Sequence, residues 1–386
     1  MNPRAYLDWN ATAPLRPQAR AVFIEAMDLI GNPSSVHAEG RKARTLVERA
    51  RAQVAALVGA DAGQVIFTSG GTEANMMALS PAWSAGKGGT GFQRLLVSAI
   101  EHPSVGQGGR FPSQQVEIIA VTADGLIDLA ALRIALQAGP AMVSVMLANN
   151  ETGVVQPVRQ VADLVHEAGG LLHVDAVQGP GRISCDINEL GADLLTISGH
   201  KLGGPKGVGA LIRREGLHLP EPLIRGGGQE RGLRAGTEDV AGIAGFGAAA
   251  EAAQSGREDA AAHMAKLQDR LEAGLRAATP EAIVFGQGSA RLPNTTLFTH
   301  PGLKAQTAVI AFDLEGVAVS SGSACSSGKV QPSHVLAAMG VEATLARGAI
   351  RISSGSATSE TDIDYCLKAW IKLSESLLKG RNIIAA

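Results

Sequence analysis

Short apolar runs punctuate the first half of the chain at QVIF (64–67), RLLVSAI (94–100), VEIIAV (116–121), MVSVML (142–147), LLHVDAV (171–177) and DLLTIS (193–198). Runs of this length, rich in Val, Ile and Leu on both alternating faces, predict strands buried on both sides of a sheet. Helical spacing accompanies them. Leu46, Val47, Ala50, Val54, Leu57 and Val58 recur at helical intervals over 43–58 with Gly59 as a stop, and residues 128–137 and 158–168 also read as helices. The alternation predicts an α/β fold with a mostly parallel sheet and helices on both faces. In such a sheet ligands bind at the carboxyl ends of the strands, so polar residues just after the apolar runs carry the chemistry. The pattern changes near Gly256, where a long helix over 257–277 leads into a different mixture of short strands and helices. Ile363, Leu367, Trp370, Ile371 and Leu377 form the apolar stripe of a closing helix.

Composition narrows the function more than the fold. The chain has 386 residues, 45% hydrophobic and 18% charged, enough to bury large cores. Its net charge of -2 and pI near 6.5 provide no field to gather nucleic acid or an anionic membrane, so small neutral or zwitterionic ligands fit better. The start, MNPRAYLDWN, has no basic segment followed by an apolar one, which predicts a cytoplasmic protein. The small-residue run over 240–250 is far shorter than the roughly 20 residues that span a bilayer. Three scattered cysteines, without CxxC or a close histidine, argue against a disulfide framework and a zinc site, so no metal is expected.

Five places invite a chemical reading. Ser69-Gly70-Gly71-Thr72-Glu73-Ala74-Asn75 follows a strand and opens a helix, a setting for one phosphate. The alternative is a glycine turn with Thr72 as helix cap. Asp175 ends LLHVDAV among apolar neighbours and so requires a cation or donors; a protonated pyridine nitrogen or a structural salt bridge would serve. Lys201 follows DLLTIS in Gly199-His200-Lys201-Leu202-Gly203-Gly204, where desolvation would lower an amine from about 10.4 toward the range a Schiff-base lysine needs. Lys206, after Pro205, is its rival. Cys325 lies in Ser320-Ser321-Gly322-Ser323-Ala324-Cys325-Ser326-Ser327-Gly328, which is too small and polar for a core and predicts a mobile loop bearing an exposed, nucleophilic thiol. Cys185 and Cys366 suit buried positions instead. Arg351 heads a short strand where its planar fork could hold a carboxylate or make an ordinary ion pair.

Taken in order, LDWNATAP, GNPSSVH, SGGTEAN, EHPS, NNETG, HVDAVQ, SGHKLGGPKG, RAGTEDV, SSGSACSSG and RISSG closely resemble the cysteine desulfurases, from residue 6 to about 355. The family is pyridoxal-phosphate (PLP) dependent, with the fold-type I transferase architecture of class V aminotransferases. This likeness implies a large domain over 16–256 with a mostly parallel seven-stranded sheet. A smaller α/β domain, 1–15 with 257–386, would carry the catalytic cysteine loop. By resemblance, Lys201 is the Schiff-base lysine, Asp175 pairs with the pyridine nitrogen, and His102 stacks on the ring and serves in proton transfer. Asn150 and Gln178 would contact the ring's phenolic oxygen side. Gly71, Thr72, Ser198 and His200 would hold the phosphate, with Thr237 contributed by the neighbouring subunit of a homodimer.

Asn32 and Arg351 would bind the carboxylate of L-cysteine. Cys325 would take its sulfur as a persulfide and release L-alanine. A scaffold or sulfur-acceptor protein would then receive the sulfur for iron-sulfur cluster assembly or other thiolation, with Cys325 touching a transferred cluster. The resemblance implies no direct nucleic-acid or membrane partner. Trp9 and Asp239 depart from the family's common residues, and neither coincides with an implied catalytic atom. A selenocysteine lyase or small-amino-acid aminotransferase of the same class is the rival reading; an aminotransferase would have no work for Cys325.

Overall fold

All six apolar runs become strands of one sheet, and a seventh joins them. The computed structural model describes residues 4–85, 91–219, 221–322 and 333–379. The strands are β1 Val65–Thr68, β2 Leu95–Ser98, β3 Val116–Ile119, β4 Met142–Met146, β5 Leu171–Asp175, β6 Leu194–Ser198 and β7 Gly209–Arg213. Their order is β1-β7-β6-β5-β4-β2-β3. β7 pairs antiparallel with β1 and β6, while the other pairings are parallel. The apolar pattern does not single out β7, a short GALIR segment after a glycine-rich turn.

Helices cover both faces: α1 Pro17–Met27, α2 Ala38–Leu57, α3 Gly71–Ala78, α4 Leu129–Leu136, α5 Val158–Glu167 and α6 Val240–Ser255. Alternate residues of one strand therefore serve opposite cores. Leu96 and Leu172 pack with Val47, Val54 and Phe246, whereas Leu95 and Leu171 pack with Met77 and Trp83. α2 starts at Ala38, ahead of its apolar stripe, because His37 caps it by accepting from the Gly40 N–H. The small residues of α6 permit close helix packing: a Cβ at Gly247 would come within 2.5 Å of Ala50 Cα.

A second sheet contains β8 Ile283–Val284, β9 Thr295–Thr299, β10 Ser320–Ser321 and β11 Ile350–Ser353, ordered β8-β9-β11-β10 and antiparallel. Behind it lie α7 Arg257–Ala278 and α9 Glu360–Lys379, with α8 Ala305–Leu314 between them in sequence. Ala5 and Leu7 enter the same core as Phe298, Phe312 and Trp370. Ala5–Tyr6 pairs in parallel with Val317–Ala318 as a separate two-stranded sheet, and Asp8 bridges to Ser353 of β11, so the start of the chain is tied to the later elements. The buried stripe of α9 is Ile363, Cys366, Trp370 and Leu373; Ile371, one helical step from Trp370, is exposed. The Leu377 side chain lies outside the described residues. Among the described residues no helix is long and apolar enough to cross a membrane.

One buried ion pair ties α2 to the turn before α6. Arg51 Nη1 and Nη2 donate to Glu230 Oε2 and Oε1 at 2.7 and 2.8 Å, and Oε2 also accepts from the Phe67 N–H. Arg51 also donates to the Val65 carbonyl and lies over the Phe67 ring. Removing one partner strands the other charge in the interior. Glu230→Ala should therefore destabilise the fold by about 3–5 kcal/mol, read as a lower urea midpoint with an unchanged slope. An unchanged midpoint would show that Arg51 finds other partners.

Candidate active site

At the end of β1 the chain turns through Gly70, whose φ of 154° suits glycine, into α3. The cap position is Gly70 and no side chain caps this turn, so Thr72 does not act as helix cap. The positive end of the helix dipole faces a cleft of about 340 Å³ lined by Gly71, Thr72, Ser198 and His200. A Cβ at Gly71 would approach Val177 Cγ2 to 3.0 Å and Ser198 Cβ to 3.5 Å, so glycine keeps the floor of this cleft open.

Asp175, the last residue of β5, is buried in the same cleft. Its Oδ2 accepts from Asn75 Nδ2 at 2.8 Å and its Oδ1 from the Val177 N–H at 3.0 Å. Asn75 Nδ2 also donates to Ser104 Oγ at 2.9 Å, and Ser104 Oγ lies 2.8 Å from His102 Nδ1. The Ser104 N–H points at that same Nδ1. With a backbone donor on Nδ1, the neutral ring carries its proton on Nε2. Burial holds His102 below its ordinary pKa, opposed by Asp175 and reinforced by Lys201 and His334.

Lys201 ends the short helical turn after β6. Its Nζ donates to the carbonyls of Asn10 and Ala11 at 2.5 and 2.9 Å, which seats it in the cleft, whereas Lys206 is exposed in the following turn. Burial and the charges of Lys201 and Lys206 push His200 down to about 4, so this imidazole is neutral at pH 7. From the second sheet, Arg351 reaches the cleft with only 2% of its surface exposed. Nη1 donates to the Asn150 carbonyl at 2.9 Å and Nη2 to Asp8 Oδ1 at 2.8 Å, while the buried Nε has no partner among the described residues.

A profile described as aminotransferase class-V matches residues 5–366. The chain belongs to the class V aminotransferase family. A cysteine desulfurase from Cereibacter sphaeroides is 43% identical over 371 residues, covering 95% of this chain and 94% of that protein. Cysteine desulfurase IscS from Dictyoglomus turgidum is 39% identical over 383 residues, covering 98% and 96%. The X-ray structure of a NifS-like protein from Rickettsia africae has a TM-score of 0.87 at 36% identity, covering 97% of this chain and 100% of that one.

Class V enzymes depend on PLP, and the cleft fits that group on its own features. It combines a helix N-terminus for a phosphate, a buried carboxylate for a ring cation, an amine for a Schiff base and an open floor at Gly71. The structure gathers Gly71, Thr72, His102, Asn150, Asp175, Gln178, Ser198, His200, Lys201 and Arg351 around it. Two expected residues lie elsewhere on their own chain. Asn32 is exposed and accepts from the Ser34 N–H, and Thr237 lines a separate hollow with Arg234 and Glu238. Cys325 lies outside the described residues.

Asn10, Asn75 and Ser104 line this cleft, with Glu101 buried next to His102, although no reading of the sequence assigned any of them a role. Asn75 and Ser104 stand inside the SGGTEAN and EHPS segments, but the hydrogen bond between them joins helices that follow separate strands. Glu101 is buried, its Oε1 accepting from the Met146 N–H at 2.7 Å. Burial, with the charge of Asp175, raises its carboxyl well above the usual range, against the pull of the Met146 N–H. Asn75→Ala should cut both links between Asp175 and Ser104. PLP binding should weaken on the order of tenfold to a hundredfold, as expected for a lost bond to a charged group. Titration of apoenzyme with PLP measures this, and unchanged affinity would count against the network.

Proposed function

We propose that this chain is a PLP-dependent cysteine desulfurase whose sulfur-accepting group is Cys325. The observation that carries the reading is the convergence of Asp175, His102 and Lys201 at the strand ends, with Arg351 entering from the other sheet. PLP, when bound, supplies an electron sink for chemistry at the substrate's α carbon. Asp175 would hold the ring cation, and Asn75 fixes the carboxylate for that task. Arg351 would orient the substrate carboxylate, its guanidinium already braced by Asp8 and the Asn150 carbonyl. Asn150 and Gln178 would face the phenolic oxygen side of the ring.

Lys201 Nζ would take the proton from the α carbon, and His102 Nε2 would serve as the second proton carrier. The Cys325 thiolate would then attack the substrate sulfur. A sulfur-sulfur bond forms as the Cβ–S bond breaks, the electron pair left with the carbon skeleton collects a proton at Cβ, and the proton taken from Cα is returned there to give alanine. The persulfide passes to a thiol on an acceptor or scaffold protein, for iron-sulfur cluster assembly or other thiolation, in the cytoplasm.

The enzyme would act as a homodimer. Thr237 and Asn32 stand outside their own chain's cleft, where residues serving a second copy would stand, and Met27, Ile30 and Val36 expose apolar surface in the segment around Asn32. The cofactor would belong to 16–256, with 1–15 and 257–386 forming the second domain.

Incubation with L-cysteine and a reductant, with alanine and sulfide both measured, tests the proposal. Wild type should release both. Lys201→Ala should lose turnover together with the absorbance of the lysine-bound cofactor. Cys325→Ala should keep that absorbance and lose sulfide release. Near wild-type sulfide and alanine from Cys325→Ala would instead favour a PLP lyase that needs no cysteine.

A further inference from the structure

The segment 323–332, which contains Cys325, is flanked by Gly322 and Ser333, and both flanking residues meet one buried side chain. Ser333 Oγ donates to Glu151 Oε2 at 2.5 Å, and a Cβ at Gly322 would come within 3.0 Å of the same oxygen. A side chain at Gly322 would therefore crowd the carboxyl group. Glu151 and Ser333 are 3% and 2% exposed. Each flank is tied further. Gly322 donates to the Ala349 carbonyl beside β11, and Ser333 Oγ caps the short helix His334–Ala338 by accepting from the Leu336 N–H at 3.1 Å. The next residue, His334, donates from Nε2 to the Glu101 carbonyl at 2.9 Å, immediately before His102.

Glu151 directly follows Asn150, which lines the cleft. The Glu151 N–H donates to Asn149 Oδ1 at 2.9 Å, and the preceding Asn150 carbonyl accepts from Arg351 and Asn10. One residue thus joins the wall of the cofactor cleft to both flanks of the cysteine segment. A buried carboxyl group is unfavourable unless hydrogen-bonded, and Ser333 supplies the donor here. Burial raises Glu151 to about 7, against the pull of the Ser333 hydroxyl and the charge of Arg351.

We propose that Glu151 is a positioning residue for sulfur transfer, its carboxyl group holding Ser333 beside Gly322 and so fixing the span between the ends of the segment that carries Cys325. The inference rests on Cys325 being the sulfur acceptor, and the experiment separates the two claims. Holoenzymes of wild type, Glu151→Ala, Glu151→Gln, Ser333→Ala and Cys325→Ala are compared in three measurements. These are the absorbance change on mixing with L-cysteine, alanine formed in a single turnover, and the rate of tryptic cleavage after Lys329. Ser333→Ala removes a single oxygen and keeps the test open if Glu151→Ala does not fold.

Glu151→Ala and Ser333→Ala should bind cysteine with a near wild-type absorbance change but form alanine on the order of ten- to a hundredfold more slowly, as a misplaced reactant does. Tryptic cleavage after Lys329 should accelerate, because untying the flanks lowers the local opening free energy. Glu151→Gln retains an acceptor for the Ser333 hydroxyl and should restore most of both. Wild-type alanine formation and cleavage in Glu151→Ala and Ser333→Ala, with Cys325→Ala inactive, would overturn the positioning role and leave Cys325 as acceptor. Glu151→Gln as slow as Glu151→Ala would overturn the hydrogen-bonded tie. Full alanine formation by Cys325→Ala would remove the premise and the inference together.

Discussion

The arrangement depends on one buried carboxylate, Asp175, at the end of a central strand. Donors reach it from Asn75 and the Val177 N–H, and the groups around it are kept from competing for its charge. Glu101 is driven toward its neutral form, and His102 is held below its ordinary pKa with a backbone donor on Nδ1. In a low-dielectric cleft a second ionised carboxylate beside Asp175 would be strongly unfavourable, and the upward shift of Glu101 follows from that repulsion together with burial. The Asn75 to Ser104 to His102 chain then couples the Asp175 carboxylate to the His102 imidazole.

Parallel pairing explains why these residues meet. β2, β4, β5 and β6 run the same way, so their ends deliver His102, Asn150, Asp175 and Lys201 to one edge of the sheet. α3 begins at that edge after β1 and adds its N-terminal dipole. The second sheet contributes Arg351 from β11, braced by Asp8 from the start of the chain and by the Asn150 carbonyl. The guanidinium is therefore fixed by two distant segments before any substrate arrives, which reduces the ordering cost of binding.

Cys185 and Cys366 show the contrast that a thiol's setting makes. Both are buried in separate cores, and burial pushes each thiol up to about 12, far from a working thiolate at neutral pH. Their packing fits the small apolar surroundings that the sequence gives them. Cys325 has no such surroundings in sequence, being enclosed by serines, glycines and alanine.

The sequence by itself determined the strands, because buried parallel strands are apolar on both faces and such runs are hard to mistake, and its ordered motifs placed the cofactor residues at their ends. It was silent on β7, whose apolar run is short and whose direction depends on its partners. It also placed Ile371 in the stripe of α9, where a turn of about 100° per residue puts Trp370 inside and Ile371 outside. The ordered motifs named Lys201 over Lys206, but only the tertiary structure gives the physical reason, since both lie in one glycine-rich stretch and the turn carries Lys201 into the cleft and Lys206 to the surface. Tertiary structure alone decided the partners of Asp175 and Glu151. Asn75 lies 100 residues from Asp175 and Ser333 lies 182 from Glu151, and hydrogen bonds over such separations are set by packing, which no local pattern records.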